Sequence, residues 1–175
     1  MKRKNFLSQI GTTFAAAALA PNLISCVQKQ AQKIRGLKNW AGNYTYQADE
    51  VRYPQTIEEL AKLLKSQTKS KALGTQHCFN DIADTPGMQL STKNLNSIIE
   101  LNQASSFVIV ESGIKYGDLG KELHSKGWAL HNLASLPHIS VGGSCATATH
   151  GSGVKNGNLA TALQGFELLT PECSI

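Results

Sequence analysis

A run of small residues late in the chain constrains the fold most strongly. Residues 141–153 read VGGSCATATHGSG, in which only His150 is larger than valine and none is acidic. Side chains this small let a large ligand lie against the backbone, and the amides and hydroxyls suit a phosphate-rich molecule. The flanking Pro137 and Ile139 argue against a merely flexible loop. The run matches neither the Rossmann glycine fingerprint nor the Walker A pattern, so neither site is supported.

A second segment places a histidine directly after a predicted strand. Residues 73–80 read LGTQHCFN, with Gly74 at the end of the strand and His77 three residues later. Glycine at this point lets the backbone turn and bring its N–H groups close to a ligand. On its own, the segment fits a solvated turn as well as it fits a binding site.

The body of the chain alternates short helices and strands. Thr56 and Glu59 have capping-box spacing in a helix that opens at Pro54. A second amphipathic helix is predicted over residues 116–126, and strands are predicted over residues 71–73, 88–91, 98–101, 107–111 and 161–169. This alternation predicts an α+β domain.

The positive charge of the chain is confined to its N-terminal end. The formal net charge is +5, from 17 basic and 12 acidic residues. Seven basic residues and no acidic residue precede Asp49. From Asp49 onward the chain has ten basic and twelve acidic residues. A nucleic-acid-binding domain carries its positive charge on the folded body. The sequence therefore predicts no nucleic-acid partner.

Residues 1–26 have the architecture of a lipoprotein-type signal peptide. A basic stretch at residues 2–4 precedes an alanine-rich apolar region over residues 6–20, and the segment ends in LISC. The apolar region is short for a permanent membrane span. LISC resembles the bacterial lipobox, which implies lipidation of Cys26 and export to the bacterial cell envelope, lipid-anchored to the membrane or periplasmic. A plain cleaved signal or an uncleaved anchor remains the alternative.

Residues 27–38 are polar and basic, which predicts a tether between the lipid and a domain over residues 39–175. Residues 3–7, RKNFL, resemble the twin-arginine export motif, but Lys4 replaces the second arginine and leaves the export route open. Cys78, Cys145 and Cys173 have neither CxxC nor metal-ligand spacing. The sequence therefore predicts no disulfide framework and no metal site.

Four segments follow one another in order: NWAGN at residues 39–43, LGTQHCFN at 73–80, NLASLPHISVGGS at 132–144 and ATATHGSG at 146–153. Together they resemble the FAD domain of the vanillyl-alcohol-oxidase superfamily, the FAD-binding PCMH-type domain, and in particular its alditol (xylitol) oxidase branch. The resemblance extends over about residues 39–170. It implies a PCMH-type α+β fold with FAD as the cofactor.

The resemblance also implies roles for individual residues. His77 matches the histidine that is joined covalently to the flavin 8α-methyl group. Ser135 matches a serine that lies near the flavin and touches substrate, whereas His138 is expected to be structural. His124 and His131 are expected to be surface or packing residues. The turn around the FAD pyrophosphate corresponds to Ala72, Leu73, Gly74, Thr75, Gln76, His77 and Cys78, and the second phosphate cradle to Ser140, Gly143, Thr147, Ala148, Thr149 and His150.

The implied reaction is oxidation of a CH–OH group of an alditol or related sugar. Hydride passes to flavin N5 while a base takes the hydroxyl proton, and O2 is reduced to H2O2. An aldonolactone oxidase of the L-gulono- or D-arabinono-1,4-lactone type is the alternative, followed by a non-catalytic FAD-binding module. The family architecture is more than twice as long as this chain. Residues 39–175 are therefore expected to be an incomplete domain that contains no catalytic residue and has little or no turnover alone.

Overall fold

The computed structural model describes residues 36–172. The expected signal peptide with Cys26, residues 27–35 of the expected tether, and Cys173 lie outside the described residues. Within residues 36–172, no helix combines the length and the apolar character needed to cross a bilayer.

A parallel three-stranded sheet forms the first half of the described chain. Strands β1 (Glu50–Arg52) and β2 (Ser70–Leu73) both pair with the central strand β3 (Met88–Ser91), whose four residues are all buried. Helix α1 (Ile57–Lys65) connects β1 to β2, as a parallel arrangement requires, and a 3-10 helix (Asp81–Ala83) follows β2. Tyr46, Val51 and Leu73 form the core on this sheet.

Helix α1 begins with the capping interaction that its sequence predicts. The Thr56 Oγ1 atom accepts a hydrogen bond from Glu59 N at 3.2 Å, and Glu59 Oε2 accepts one from Gln55 N at 2.7 Å. The first bond satisfies an amide that the first turn of a helix otherwise leaves unpaired, and the second pairs the amide of the residue before the N-cap. The predicted helix is confirmed, and its first residue is Ile57.

An antiparallel hairpin and a helix form the second half. Strands β4 (Ile98–Asn102) and β5 (Phe107–Val110) pair with each other, and helix α2 (Tyr116–Ser125) follows. Ile114, Leu119 and Leu123 make a buried cluster against apolar residues of the hairpin. The four strands predicted between residues 71 and 111 and both predicted helices are therefore confirmed to within a few residues.

A short helix that the sequence did not indicate opens the small-residue run. Helix α3 (Val141–Ala146) contains two consecutive glycines, which are poor helix formers. Bonds from outside the helix hold its first turn: Val141 N donates to Ile114 O at 2.9 Å and Gly142 N donates to Ser112 O at 2.8 Å. Tertiary contacts thus override local propensity here.

The strand predicted over residues 161–169 is wrong. A 3-10 helix (Leu159–Ala162) occupies its beginning, and residues 163–170 have no regular secondary structure. A strand is stable only when a neighbour pairs with its N–H and C=O groups, and no strand within residues 36–172 pairs with this segment. The apolar pattern that suggested a strand remains visible as three exposed side chains, Leu163, Phe166 and Leu168.

Candidate functional site

The structure brings the histidine turn and the start of the small-residue run together. Thr75 Oγ1 accepts a hydrogen bond from Ser140 N at 3.4 Å, across 65 positions of sequence. A Cβ atom on Gly74 would lie 3.1 Å from Ser140 Oγ and 3.5 Å from the Gly143 Cα atom. The turn after β2 therefore lies directly against the first turn of α3.

The histidine turn presents a row of unpaired backbone amides. No hydrogen bond to another described residue occupies the N–H groups of residues 75–78. Gln76 lies in the left-handed region with φ 65, and its carbonyl accepts from Trp40 N at 2.8 Å. Successive free N–H groups around a left-handed residue form a concavity that binds anions. This turn thus provides donors for phosphate oxygens.

The facing surface of α3 adds two further donors. The Gly143 N–H group makes no hydrogen bond within residues 36–172, and a Cβ atom on Gly143 would lie only 2.9 Å from Ser140 Oγ. The Ser140 hydroxyl is itself buried and has no hydrogen-bond partner in that part of the chain. Buried polar groups in native proteins are nearly always satisfied. An acceptor-rich ligand would satisfy this one.

His77 lies at the end of this turn with one ring nitrogen unpaired. Its Nδ1 atom is 3.0 Å from Thr75 Oγ1, whereas its Nε2 atom is buried and without a partner among the described residues. The ring stacks on Trp40, with centroids 5.1 Å apart, and contacts the ring of His138 at 4.7 Å. Burial, and then the charge of His138, lower the pKa of His77 below its ordinary value. This lowering favours the neutral imidazole, which carries a lone pair on one ring nitrogen.

Among the remaining predicted residues, none of Ser135, Thr147, Thr149 and His150 makes a hydrogen bond to the histidine turn. Ser135 and His150 are exposed, and His150 Nδ1 lies 2.9 Å from Gly151 O. Thr147 Oγ1 donates to Gly143 O at 3.1 Å and lies 3.3 Å from Thr149 Oγ1. These contacts continue the small-residue surface beyond the end of α3.

Ala148, between the two threonines, has φ 53. An alanine in the left-handed region is strained, because its Cβ atom crowds the following carbonyl. The backbone thus makes a sharp turn just after α3, as it does at Gln76 after β2.

His138 is the residue whose place the sequence did not indicate. It was expected to be structural, and the structure places its ring against His77 with its own Nε2 atom buried and unpaired among the described residues. His138 lies 61 positions after His77, so no local spacing relates them. Only the packing of the two segments reveals the contact.

The chemistry of the donors fits FAD. The amides of residues 75–78, which are unpaired among the described residues, the Gly143 amide and the Ser140 hydroxyl can all donate to pyrophosphate oxygens, and glycine at positions 74 and 143 leaves room for close approach. No group of three or more histidine, cysteine or acidic side chains within residues 36–172 is arranged to hold a metal ion.

Comparison with protein families and characterised proteins agrees with this chemistry. The model of the FAD binding domain matches residues 48–175. Alditol oxidase of a Streptomyces species is 45% identical over 139 residues, which cover 78% of this chain and 34% of that enzyme. L-gulonolactone oxidase of Bos taurus is 33% identical over 147 residues, which cover 81% of this chain and 33% of that enzyme. The chain spans about a third of the length of these curated relatives.

Solved structures share the same fold. Alkyldihydroxyacetonephosphate synthase superposes with a TM-score of 0.64 at 16% identity, over 89% of this chain and 34% of that one. Cholesterol oxidase from B. sterolicum superposes with a TM-score of 0.59 at 19% identity, over 69% of this chain and 25% of that one. The chain belongs to the family of the FAD binding domain, and its cofactor is FAD.

Proposed function

We propose that this chain is the FAD-binding portion of an oxidase that acts on CH–OH groups of alditols or related sugars. The observation that carries the proposal is the His77 turn, with its row of free amides packed against Ser140 and Gly143. The 45% identity to alditol oxidase supports the substrate class.

Different residues of the chain bind different parts of the cofactor. The amides of residues 75–78 and of Gly143 donate to the pyrophosphate, and the Ser140 hydroxyl gains an acceptor. His77, neutral and unpaired at Nε2, offers a nitrogen for covalent attachment at the flavin 8α position. FAD, when bound, accepts two electrons from the alcohol carbon and passes them to O2, which is released as H2O2.

Covalent attachment is tested by denaturing the FAD-loaded protein in acid and measuring the flavin absorbance of the precipitated polypeptide. The parent protein and the control variant His124→Ala, altered at an exposed residue of α2, are expected to retain the flavin. His77→Ala is expected to release it. Flavin that leaves the parent on denaturation contradicts the covalent link, and a parent that binds no FAD contradicts the proposed function.

The substrate class is tested with a longer protein that contains this chain, because the chain spans about a third of its relatives. H2O2 production with xylitol and sorbitol is expected to exceed that with L-gulono-1,4-lactone and D-arabinono-1,4-lactone. The opposite order would favour the lactone oxidases, to which the chain is about 30% identical. A flavin-loaded protein that oxidises none of these substrates would favour a non-catalytic FAD-binding module. For the 175-residue chain alone, we propose little or no turnover.

We also propose that the protein is exported to the bacterial cell envelope and carries a lipid on Cys26. The support is the order of basic residues, apolar region and LISC in residues 1–26. Metabolic labelling with radioactive palmitate is expected to label the parent and the control Cys173→Ala, but not Cys26→Ala. Equal labelling of both variants would contradict lipidation at Cys26.

A further inference from the structure

Three aromatic rings from distant parts of the sequence meet at His77. The centroid of His77 lies 5.1 Å from that of Trp40 and 4.7 Å from that of His138, and the latter two are 6.0 Å apart. Trp40 is nearly parallel to the His77 ring, at 25°, whereas His138 is tilted by 50°. Each ring of this three-ring cluster thus contacts the other two.

The position of His138 is set by its backbone. On one side of it, Gly117 N donates to Pro137 O at 2.6 Å, and on the other, Tyr116 N donates to Ile139 O at 3.0 Å. Both donors belong to the first turn of α2. The His138 Nε2 atom is buried and makes no hydrogen bond with any described residue. The backbone bonds to helix α2 therefore place the His138 imidazole against His77. A hydrogen bond at His138 Nε2 does not contribute to this placement among the described residues.

The charges around His77 all act in one direction. His138 and Lys115 both lower its pKa, in addition to the larger effect of burial, while the bond at Thr75 opposes them. Trp40 and Thr75, which also contact the ring, are uncharged. No carboxylate is among the groups that act on His77, so none of them stabilises a positive charge on its ring.

We propose that His138 is a positioning residue for the attachment of the flavin: its ring packs against His77 and holds that imidazole in place. The proposal rests on the proposed role of His77 as the attachment site. It assigns a function to the contact between the rings of His77 and His138. The third ring of the cluster, that of Trp40, stacks on His77.

The chemistry of attachment explains why the charge state of His77 matters. One C–H bond of the 8α-methyl group breaks and a bond forms between that carbon and a ring nitrogen of His77. The imidazole loses its N–H proton, and the flavin gains two electrons and both protons; O2 then takes these and leaves as H2O2. A protonated imidazole has no lone pair in the ring plane with which to form the bond. The rate therefore follows the neutral fraction of His77.

The test compares His138→Phe, which keeps an aromatic ring and removes the imidazole, with the matched control His124→Phe at the exposed end of α2. Ring-nitrogen NMR of the purified chain without FAD follows the protonation of His77 directly. We expect its midpoint to move to higher pH in His138→Phe and to stay in place in His124→Phe. His138→Gln, uncharged and smaller, gives the same comparison if the phenylalanine is not accommodated.

The rate of covalent FAD incorporation gives the second readout. At pH 6 we expect about a threefold or larger loss in His138→Phe, with recovery to the parent rate at pH 8, whereas His138→Ala loses rate at both pH values. An unchanged His77 midpoint and pH profile in both uncharged variants would overturn the proposal. If the parent itself binds FAD without attaching it, the role of His77 fails, and the NMR midpoint still decides whether His138 controls its charge.

Discussion

Ser140 and Ser144 are two buried serines, one at the edge of α3 and one inside it, with opposite hydrogen-bond status. Ser144 Oγ donates to Val141 O at 2.9 Å, whereas Ser140 Oγ has no partner among the described residues. Removing a satisfied buried hydroxyl costs stability, whereas removing an unsatisfied one does not. A hydroxyl that lacks a partner in the polypeptide and lies between Gly74 and Gly143 is suited to a ligand.

We therefore predict opposite outcomes for two serine-to-alanine changes. Ser140→Ala leaves the free energy of unfolding without FAD unchanged or raises it by up to about 1 kcal/mol, while it weakens FAD binding about fivefold or more. Ser144→Ala costs about 1 kcal/mol of stability and changes FAD affinity less. Urea unfolding and flavin fluorescence titration measure the two quantities. A clear loss of stability in Ser140→Ala with unchanged FAD affinity would refute this assignment.

His77 makes the stability of the FAD-free chain depend on pH. Its pKa in the folded state is lowered, so between that value and the ordinary value of 6.5 the unfolded chain binds more protons. Stability is therefore complete above pH 6.5 and falls as the pH decreases. We expect the melting temperature to fall more between pH 7 and pH 5 in the parent than in His77→Gln. Because the ring is only part-buried, the difference is small, and parallel curves would contradict it.

At the scale of elements, the sequence predicted those whose signals are local. The capping box of α1 and the apolar run of β5 depend on residues close in sequence, and these elements were found, as were β3 and β4. Helix α3 was missed because bonds to Ser112 and Ile114 hold a glycine-rich segment in helical form. The strand over residues 161–169 was wrong because its apolar pattern has no partner strand within the described residues.

The turn over residues 39–43 is hydrogen-bonded to the histidine turn. Asn39 is buried, and its Nδ2 atom donates to Asn43 Oδ1 at 2.7 Å and to Cys78 O at 2.9 Å. Its Oδ1 atom accepts from Tyr44 N at 3.0 Å. One side chain thus ties this turn to the residue that follows His77.

Substitution of Asn39 is predicted to loosen the histidine turn. Asn39→Ala breaks these bonds in a buried position and is expected to cost about 2 kcal/mol of stability and to slow covalent FAD incorporation. The comparison variant Asn43→Ala, at an exposed residue, removes the bond to Phe79 O and the bond from Asn39, but it leaves Asn39 bonded to Cys78 O and Tyr44 N, and it is expected to cost less than about 1 kcal/mol. Chemical denaturation and acid-stable flavin measure the effects; equal losses in both variants would argue against the role of Asn39.

At the scale of the whole molecule, the site arises where two distant segments pack. The sequence supplied the members of each segment through their small residues and the family resemblance, but it could not supply the contact of Thr75 with Ser140 or of His77 with His138. Such contacts depend on how the β1–β3–β2 sheet positions the histidine turn and how the first turn of α2 positions the segment before α3. No periodicity in the sequence encodes the relative position of these two loops.

An exposed apolar surface near the end of the described chain makes a further prediction at this scale. Leu163, Phe166 and Leu168 are 44%, 81% and 65% exposed within six residues of one another. Adjacent exposed apolar side chains favour association. We expect the 175-residue chain to bind a hydrophobic dye and to self-associate, and Phe166→Glu to reduce both. The control Val154→Glu changes another exposed apolar residue outside this group and is expected to have little effect; equal effects of both would contradict the prediction.

The stacking of Trp40 on His77 gives the protein an intrinsic optical reporter. Indole emission is quenched by a protonated imidazole in contact with it and by energy transfer to a nearby flavin. The chain contains only two tryptophans, and Trp128 packs in the cluster of α2 and the hairpin, so Trp128→Phe leaves Trp40 as the single emitter. Its fluorescence would then follow, without any label, both the charge of His77 and the arrival of the cofactor in real time.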